Sequence, residues 1–255
     1  MRVNQGVAVS LKDKVLLVPY ESRHVERYHE WMSDPLLQEQ TSSLPLTHPD
    51  EYAMQKSWRV DRDKLTFIIC LPLTTIPSLT PISTADETTT GQVRSGEVDT
   101  PERMVGDVNM FLSDDDENDE RVLGELEIMI AEKEMRGKGF ARSALVTFIH
   151  FIRTHVSDIL LEYSTPSSPT ITTSSNPIPA TIPPRNKLTL HAKISQENTA
   201  SLALFESFGF CKTREEVSYF GEWDVRLEGF GEGGVSEIEA LAVGDGYQEL
   251  RYVEA

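Results

Sequence analysis

Apolar positions fall along this chain in two alternating rhythms, and their changeovers mark the elements. Residues 15–20, Val-Leu-Leu-Val-Pro-Tyr, are β-rich and stop at a proline, after which Ser22 can cap a helix carrying Val25, Tyr28, Trp31 and Met32. Ser33-Asp34-Pro35 ends that helix. Thr47-His48-Pro49 opens a second helical pattern over residues 50–58. Residues 65–71, Leu-Thr-Phe-Ile-Ile-Cys-Leu, form a β-branched and aromatic run of strand length, and two further strands are expected at 104–112 and 123–131 around an acidic tip at 114–120. A long apolar helix follows from Arg142. A strand over 187–194 then leads to a helix opened by Asn198, which stops at Phe208-Gly209-Phe210, where Gly209 suits a left-handed cap. Two last strands are expected near 217–220 and 223–227.

Two stretches break the rhythm. Residues 72–103 and about 163–186 are rich in Ser, Thr and Pro with little to pack, so they read as disordered inserts in one domain spanning about 10–229. Residues 230–255, glycine-rich at first and acidic, read as a tail. With 255 residues, 39% of them hydrophobic, the chain can bury one good core.

Charge narrows the partners. A net charge of −17 argues against a nucleic-acid interface and suits solubility or a cationic partner. No apolar run approaches the ~18 residues of a membrane span, and the N-terminus lacks a secretory pattern. The expectation is no membrane and a location in cytoplasm or nucleus. Cys70 and Cys211, both read as reduced core thiols, fit a reducing compartment, and no Cys/His cluster has metal-ligand spacing, so no metal is assigned.

The candidate chemistry begins where the strand at 123–131 delivers Arg136-Gly137-Lys138-Gly139-Phe140-Ala141 to a helix N-terminus. Such a turn gathers backbone N–H groups and the positive end of the helix at one point, as a diphosphate requires. A phosphate-bearing cofactor is the first expectation. The element order β-α-α-β-β-β-α-β-α-β-β, with this turn after the fourth strand, resembles the GNAT superfamily of acetyl-CoA-dependent N-acetyltransferases. Arg136, Gly139 and Ala141 match its Arg/Gln-x-x-Gly-x-Gly/Ala loop; Asn198, Ser201, Leu204, Phe205, Gly209 and Phe210 resemble its later Asn-x-x-Ser/Ala helix ending in Gly-Phe. The text around residues 17–32, with residues 51–58 and 124–132, is similar to the N-acetyltransferase-nine-like branch, akin to the ribosomal-protein alanine acetyltransferases.

The resemblance implies an α/β fold with a central mixed, mostly antiparallel sheet and flanking helices. It implies acetyl-CoA as co-substrate, with the amides of Gly137, Lys138, Gly139, Phe140, Ala141 and Arg142 around the pyrophosphate, Arg136, Lys138 and Arg142 adding charge, and Met129, Ile130 and Ala131 offering strand backbone to the pantetheine arm through a splayed gap between the fourth and fifth strands. Asn198 is either a cofactor ligand or only a helix cap. Phe205 stands where many members carry a tyrosine that protonates the leaving thiolate; a phenyl ring has no proton to give, so Tyr219, Tyr163 or water must serve if anything does.

Attack of an amine on a thioester needs a base. Glu125 and Glu127 alternate with Leu126 and Ile128, so both carboxylates share one strand face, with Glu127 nearer the cofactor end. His191 is the second candidate, in a Leu-His-Ala-Lys context where relatives often read Leu-Glu-Ala-Arg. Tyr52 and Trp58 could line an acceptor groove or simply fill core. The expected activity is transfer of an acetyl group to an amine of a protein or peptide, foremost an N-terminal α-amine. A small-amine acetyltransferase and a non-catalytic acetyl-CoA-binding or scaffold module are the alternatives, and the sequence leaves the oligomeric state open.

Overall fold

Hydrophobic runs with no polar break, such as Val15–Pro19, demand cover on both sides, and here they receive it. A computed structural model of the chain describes residues 1–41, 43–76, 91–116, 118–165, 187–230 and 236–254. Its strands are β1 (Val7–Leu11), β2 (Val15–Pro19), β3 (Lys64–Cys70), β4 (Gln92–Arg94), β5 (Met104–Asp114), β6 (Arg121–Ile130), β7 (Lys187–Ser195), β8 (Cys211–Lys212), β9 (Glu222–Leu227) and β10 (Tyr247–Val253). They form one sheet in the order β4-β10-β1-β2-β3-β5-β6-β7-β9-β8. Pairing is antiparallel except at β10–β4 and β6–β7, as the mixed, mostly antiparallel expectation required.

The helices α1 (Val25–Met32), α2 (Pro35–Gln40), α3 (His48–Val60), α4 (Phe140–Thr154), α5 (Val156–Ser164), α6 (Thr199–Glu206) and α7 (Ser236–Gly244) flank it. One face packs Val15, Leu17, Phe67 and Val108 against Leu145, Phe148, Ile149 and Ile152 of α4. Phe67 meets Phe148 and Phe151 edge-on at 5.9 and 5.2 Å. The opposite face packs Leu16, Val18 and Ile68 against Val25, Tyr28 and Trp31 of α1. Alternation along β2 divides its side chains between the two cores.

Several expectations need correction. The sheet begins before residue 10, with β1. The stretch 72–103 is not all outside the fold: β4 joins the sheet and Asp99 is 2% exposed, while residues 77–90 lie outside the described residues. The expected insert at 163–186 lies outside them from residue 166 on. Residues set apart as a tail supply α7 and β10, and β10 sits inside the sheet between β4 and β1. Acidic residues concealed it: Tyr247, Leu250 and Tyr252 pack, while Glu249 accepts a hydrogen bond from the Tyr247 hydroxyl. Residues 217–220 form no strand, a turn being closed there by the Gly221 N–H on the Ser218 carbonyl, and Cys211–Lys212 is the short strand that pairs with β9. Cys70 is buried, but Cys211 is exposed on the edge strand β8. Asp34 does more than end α1, since its side chain accepts from the Leu36 N–H at 3.0 Å and caps α2.

Candidate functional site

β6 and β7 pair in parallel from Arg121/Lys187 only as far as Glu125/His191, after which no register joins them. β6 continues against β5 to Ile130, and β7 continues against β9 to Ser195. The last halves of β6 and β7 therefore diverge, and the expected gap is present. At its upper end the N–H groups of Ala131 and Glu132 both donate to the Val105 carbonyl, a bulge that ends the ladder. Gly106 makes room for it, since a Cβ there would stand 1.9 Å from the Met129 carbonyl oxygen. With Ala131 bonded to Val105, antiparallel alternation turns the peptide groups of Ile128 and Ile130 away from β5 and into the gap. Arg136 reaches back to this point: its Nε donates to the Ile130 carbonyl at 2.8 Å. The Arg136 guanidinium thus ties the turn to the strand it follows.

Gly137 and Gly139 adopt φ of +72° and +88°, and a Cβ on either would meet nothing within 4 Å. Their backbone faces open space. Gly139 is the N-cap of α4 and supplies no side chain, so the first N–H groups of a 15-residue helix have no side-chain cap. They border a cleft of about 470 Å³ whose lining includes Met129, Ile130, Arg136, Gly137, Gly139, Phe140, Ala141, Arg142 and Asn198. Lys138 is exposed beside it. Arg142 donates to Ser207 Oγ at 2.9 Å and stacks over Phe208 at 4.7 Å, which joins α4 to the end of α6. Asn198 accepts from the Ser201 N–H at 3.1 Å, so its Oδ1 caps α6 while the residue lines the cleft. A glycine cradle, an uncapped helix N-terminus and a slot between strands fit a diphosphate carrying an extended arm.

The cleft continues into a second cavity of about 220 Å³, which shares Ile128, Met129, Asn198 and Ser201 with the first. Its floor is a polar sheet face: Asp107 and Asn109 from β5, Glu125 and Glu127 from β6, Lys193 from β7 and Glu222 from β9, walled by Tyr28 and Trp58. Glu127 opens on this cavity. Burial in the surrounding protein mass, reinforced by the charges of Asp107 and Glu125 and opposed by Lys193, pushes its carboxyl up to about 7. Glu125 is held by Lys193 Nζ at 2.7 Å. His191 does not line the cavity: it is 5% exposed, with Nδ1 3.2 Å from Asp224 and Nε2 4.0 Å from Glu125. Of the two aromatics weighed between groove and core, Trp58 lines the cavity, whereas Tyr52 points its hydroxyl at Glu26.

Phe205 lines the cavity at 2% exposure, edge-on to Phe210 at 5.1 Å. The two tyrosines considered as its substitutes lie elsewhere. Tyr219 is 98% exposed on the turn before β9, and Tyr163 donates to Asp114 at 2.8 Å. The residues that sequence reasoning missed are Tyr28, Asp107 and Asn109. Asp107 is 2% exposed, and burial pushes its carboxyl up to about 7 despite hydrogen bonds from Asn109 Nδ2 at 2.5 Å and the Tyr28 hydroxyl at 3.4 Å. Their signal was present: two polar residues alternate with Val108 and Met110 in a strand otherwise made for a core.

Comparison with known proteins agrees with this geometry. A family model described as an acetyltransferase (GNAT) domain matches residues 14–211. Alpha/beta-tubulin-N-acetyltransferase 9 of Drosophila melanogaster is 37% identical over 87% of this chain and 86% of its own length. An N-acetyltransferase 9-like protein of Schizosaccharomyces pombe is 31% identical over 89% of this chain and 98% of its own. Among solved structures, spermidine N-acetyltransferase from Vibrio cholerae, crystallised with CoA and spermine, shares the fold at a TM-score of 0.52 and 14% identity, covering 84% of this chain and 93% of that one. The chain belongs to the GNAT acetyltransferase family and is an acetyl-transferring enzyme whose curated relatives are N-acetyltransferase 9 proteins.

Proposed function

We propose that this enzyme transfers the acetyl group of acetyl-CoA to a protein N-terminal α-amine, by direct attack with Glu127 as general base. The observation that carries this reading is the position of Glu127, open to the cavity just past the point where β6 and β7 part, with its carboxyl poised near neutrality. The free N–H groups of Gly139, Phe140, Ala141 and Arg142 would receive the pyrophosphate, with Lys138 adding charge from the rim. Arg136 would act by holding the turn rather than by touching phosphate. The N–H groups of Ile128 and Ile130 would hold the arm and thioester in the gap, in place of ladder hydrogen bonds. When bound, acetyl-CoA supplies an activated acyl carbon.

The acceptor nitrogen gives a proton to Glu127, its lone pair forms the C–N bond, and the C–S bond breaks with its pair on sulfur. A thiol with a pKa of about 8.5 is a tolerable leaving group, so water suffices to protonate it and Phe205 is no obstacle. Glu125, Glu127, Asp107 and Glu222 against Lys193 favour an acceptor that arrives as a cation. Tubulin is the first protein acceptor to test, since three relatives carry it in their names. The test is thiol release from acetyl-CoA with N-terminal peptides of α- and β-tubulin, free or blocked at the amine. Transfer to free-amine peptides alone supports the reading; modification of blocked peptides at lysine would replace it.

A further inference from the structure

Asn109 Oδ1 is buried and has no hydrogen-bond partner among the described residues, although Asn109 is 4% exposed and lines the cavity floor. A buried amide oxygen of this kind carries a desolvation cost unless a donor reaches it. The atom is closed to solvent, so the donor must be a neighbouring side chain. Asn109 Nδ2 is committed to Asp107 Oδ2 at 2.5 Å, which sets Oδ1 on the other side of the amide. The Tyr28 hydroxyl is directed at the same carboxylate, and Lys193 Nζ is engaged by Glu125. Two residues stand directly opposite Asn109 in the sheet, Thr66 on β3 and Glu127 on β6. The Thr66 and Tyr20 hydroxyls are themselves buried without a partner among the described residues, so neither reaches Oδ1. Glu127 has no proton to donate as the carboxylate and gains one as the base.

We propose that Asn109, its amide turned by Asp107, is a positioning residue for Glu127: Oδ1 receives the O–H of the Glu127 carboxyl once that group has taken a proton from the acceptor nitrogen. The inference rests on the assignment of Glu127 as base. In the resting enzyme the orphaned oxygen stands ready; during transfer the Glu127 carboxylate becomes a neutral acid and donates to it. The proton then leaves to solvent through the open side of Glu127, which restores the carboxylate. The charged and titratable groups facing Glu127 are Tyr28 from α1, Asp107 from β5, Glu125 on β6, Lys193 from β7 and Glu222 from β9.

The pH profile of kcat/KM tests this, with glycinamide and the tubulin N-terminal peptides as acceptors and CoA affinity measured beside it by calorimetry. Asn109→Ala removes the acceptor of the neutral acid and admits water to the carboxylate. Asp107→Asn, nearly isosteric, removes both a repelling charge and the lock on the amide. Each is expected to move the acid limb down by about one pH unit and to lower kcat about tenfold, with CoA affinity unchanged. An unmoved limb in both variants, or the same shift from Thr66→Val, overturns the inference and leaves the base assignment standing. A wild-type chain with no acid limb, or with a limb that survives Glu127→Gln, overturns both.

Discussion

The Tyr252 hydroxyl donates to the Asp99 carboxylate across 153 residues of sequence, in the interior between β10 and the loop after β4. His24 Nε2 stands 2.8 Å from the same oxygen, and the Gly96 N–H reaches Oδ1 at 2.6 Å. Because His24 Nδ1 accepts from the Glu21 N–H, its hydrogen lies on Nε2. Three distant segments thus meet on one carboxylate. Asp99→Ala orphans all three donors and is expected to cost about 3 kcal/mol in chemical denaturation. Burial alone would raise the Asp99 pKa, but these hydrogen bonds hold it below the usual carboxylate range. The contribution is therefore complete above the unfolded pKa of about 3.9 and is lost as pH falls through the lower folded value. The Asp99→Ala and wild-type unfolding curves should converge in that acid range.

Glu127 gives an activity prediction of defined sign. The carboxylate is the working form, so with its pKa near 7 the rate should fall as pH drops below neutrality. Glu127→Gln should lower kcat by about 10²- to 10⁴-fold while CoA binding is retained, as read from thiol release and calorimetry. Equal loss in Glu125→Gln would instead point to the Glu125–Lys193 pair, which the structure shows already joined.

How far the sequence anticipated this site depends on whether a signal was local. The glycine turn, α6 and the two glutamates of β6 were legible because each is a short motif on one element. Asp107 and Asn109 belong to β5, and their meaning arises only when the register sets Asn109 opposite Glu127. His191 looked like a base because it stands where relatives often carry a glutamate; the structure turns it to Asp224 instead. β10 was hidden for a different reason. Gln248, Glu249 and Arg251 gave its segment the composition of a surface tail, and its partner β1 lies more than two hundred residues away.

Asp107 should show a trade between stability and function. Its pKa is raised from 3.8 to about 7 by burial, so ionising it inside the fold is costly. For a carboxyl whose folded pKa is raised, stability declines as pH rises from the unfolded to the folded value and stays low beyond it. Asp107→Asn removes that penalty. The variant should melt above wild type at pH 8, by the equivalent of about 2–4 kcal/mol, and the difference should shrink at pH 5. Calorimetric melts at the two pH values decide it, and a variant less stable at pH 8 would show that the hydrogen bonds to the carboxylate outweigh its desolvation.

The glycines of the cleft separate strain from contact. At Gly137 a methyl group meets nothing, so Gly137→Ala is charged only with a positive φ, about 1 kcal/mol, and should weaken CoA binding more than it weakens the fold. At Gly106 the backbone angle is ordinary but the added carbon falls 1.9 Å from the Met129 carbonyl oxygen. The bulge that turns Ile130 towards the gap must then yield, because a backbone carbonyl has no rotamer in which to move aside. Gly106→Ala should therefore lose several kcal/mol of stability, on the order of an overpacked core, together with CoA affinity. Paired melts and CoA titrations of the two variants would show Gly137→Ala stable with weakened binding and Gly106→Ala impaired in both; a fully stable Gly106→Ala would mean that β6 reaches the gap without needing that close approach.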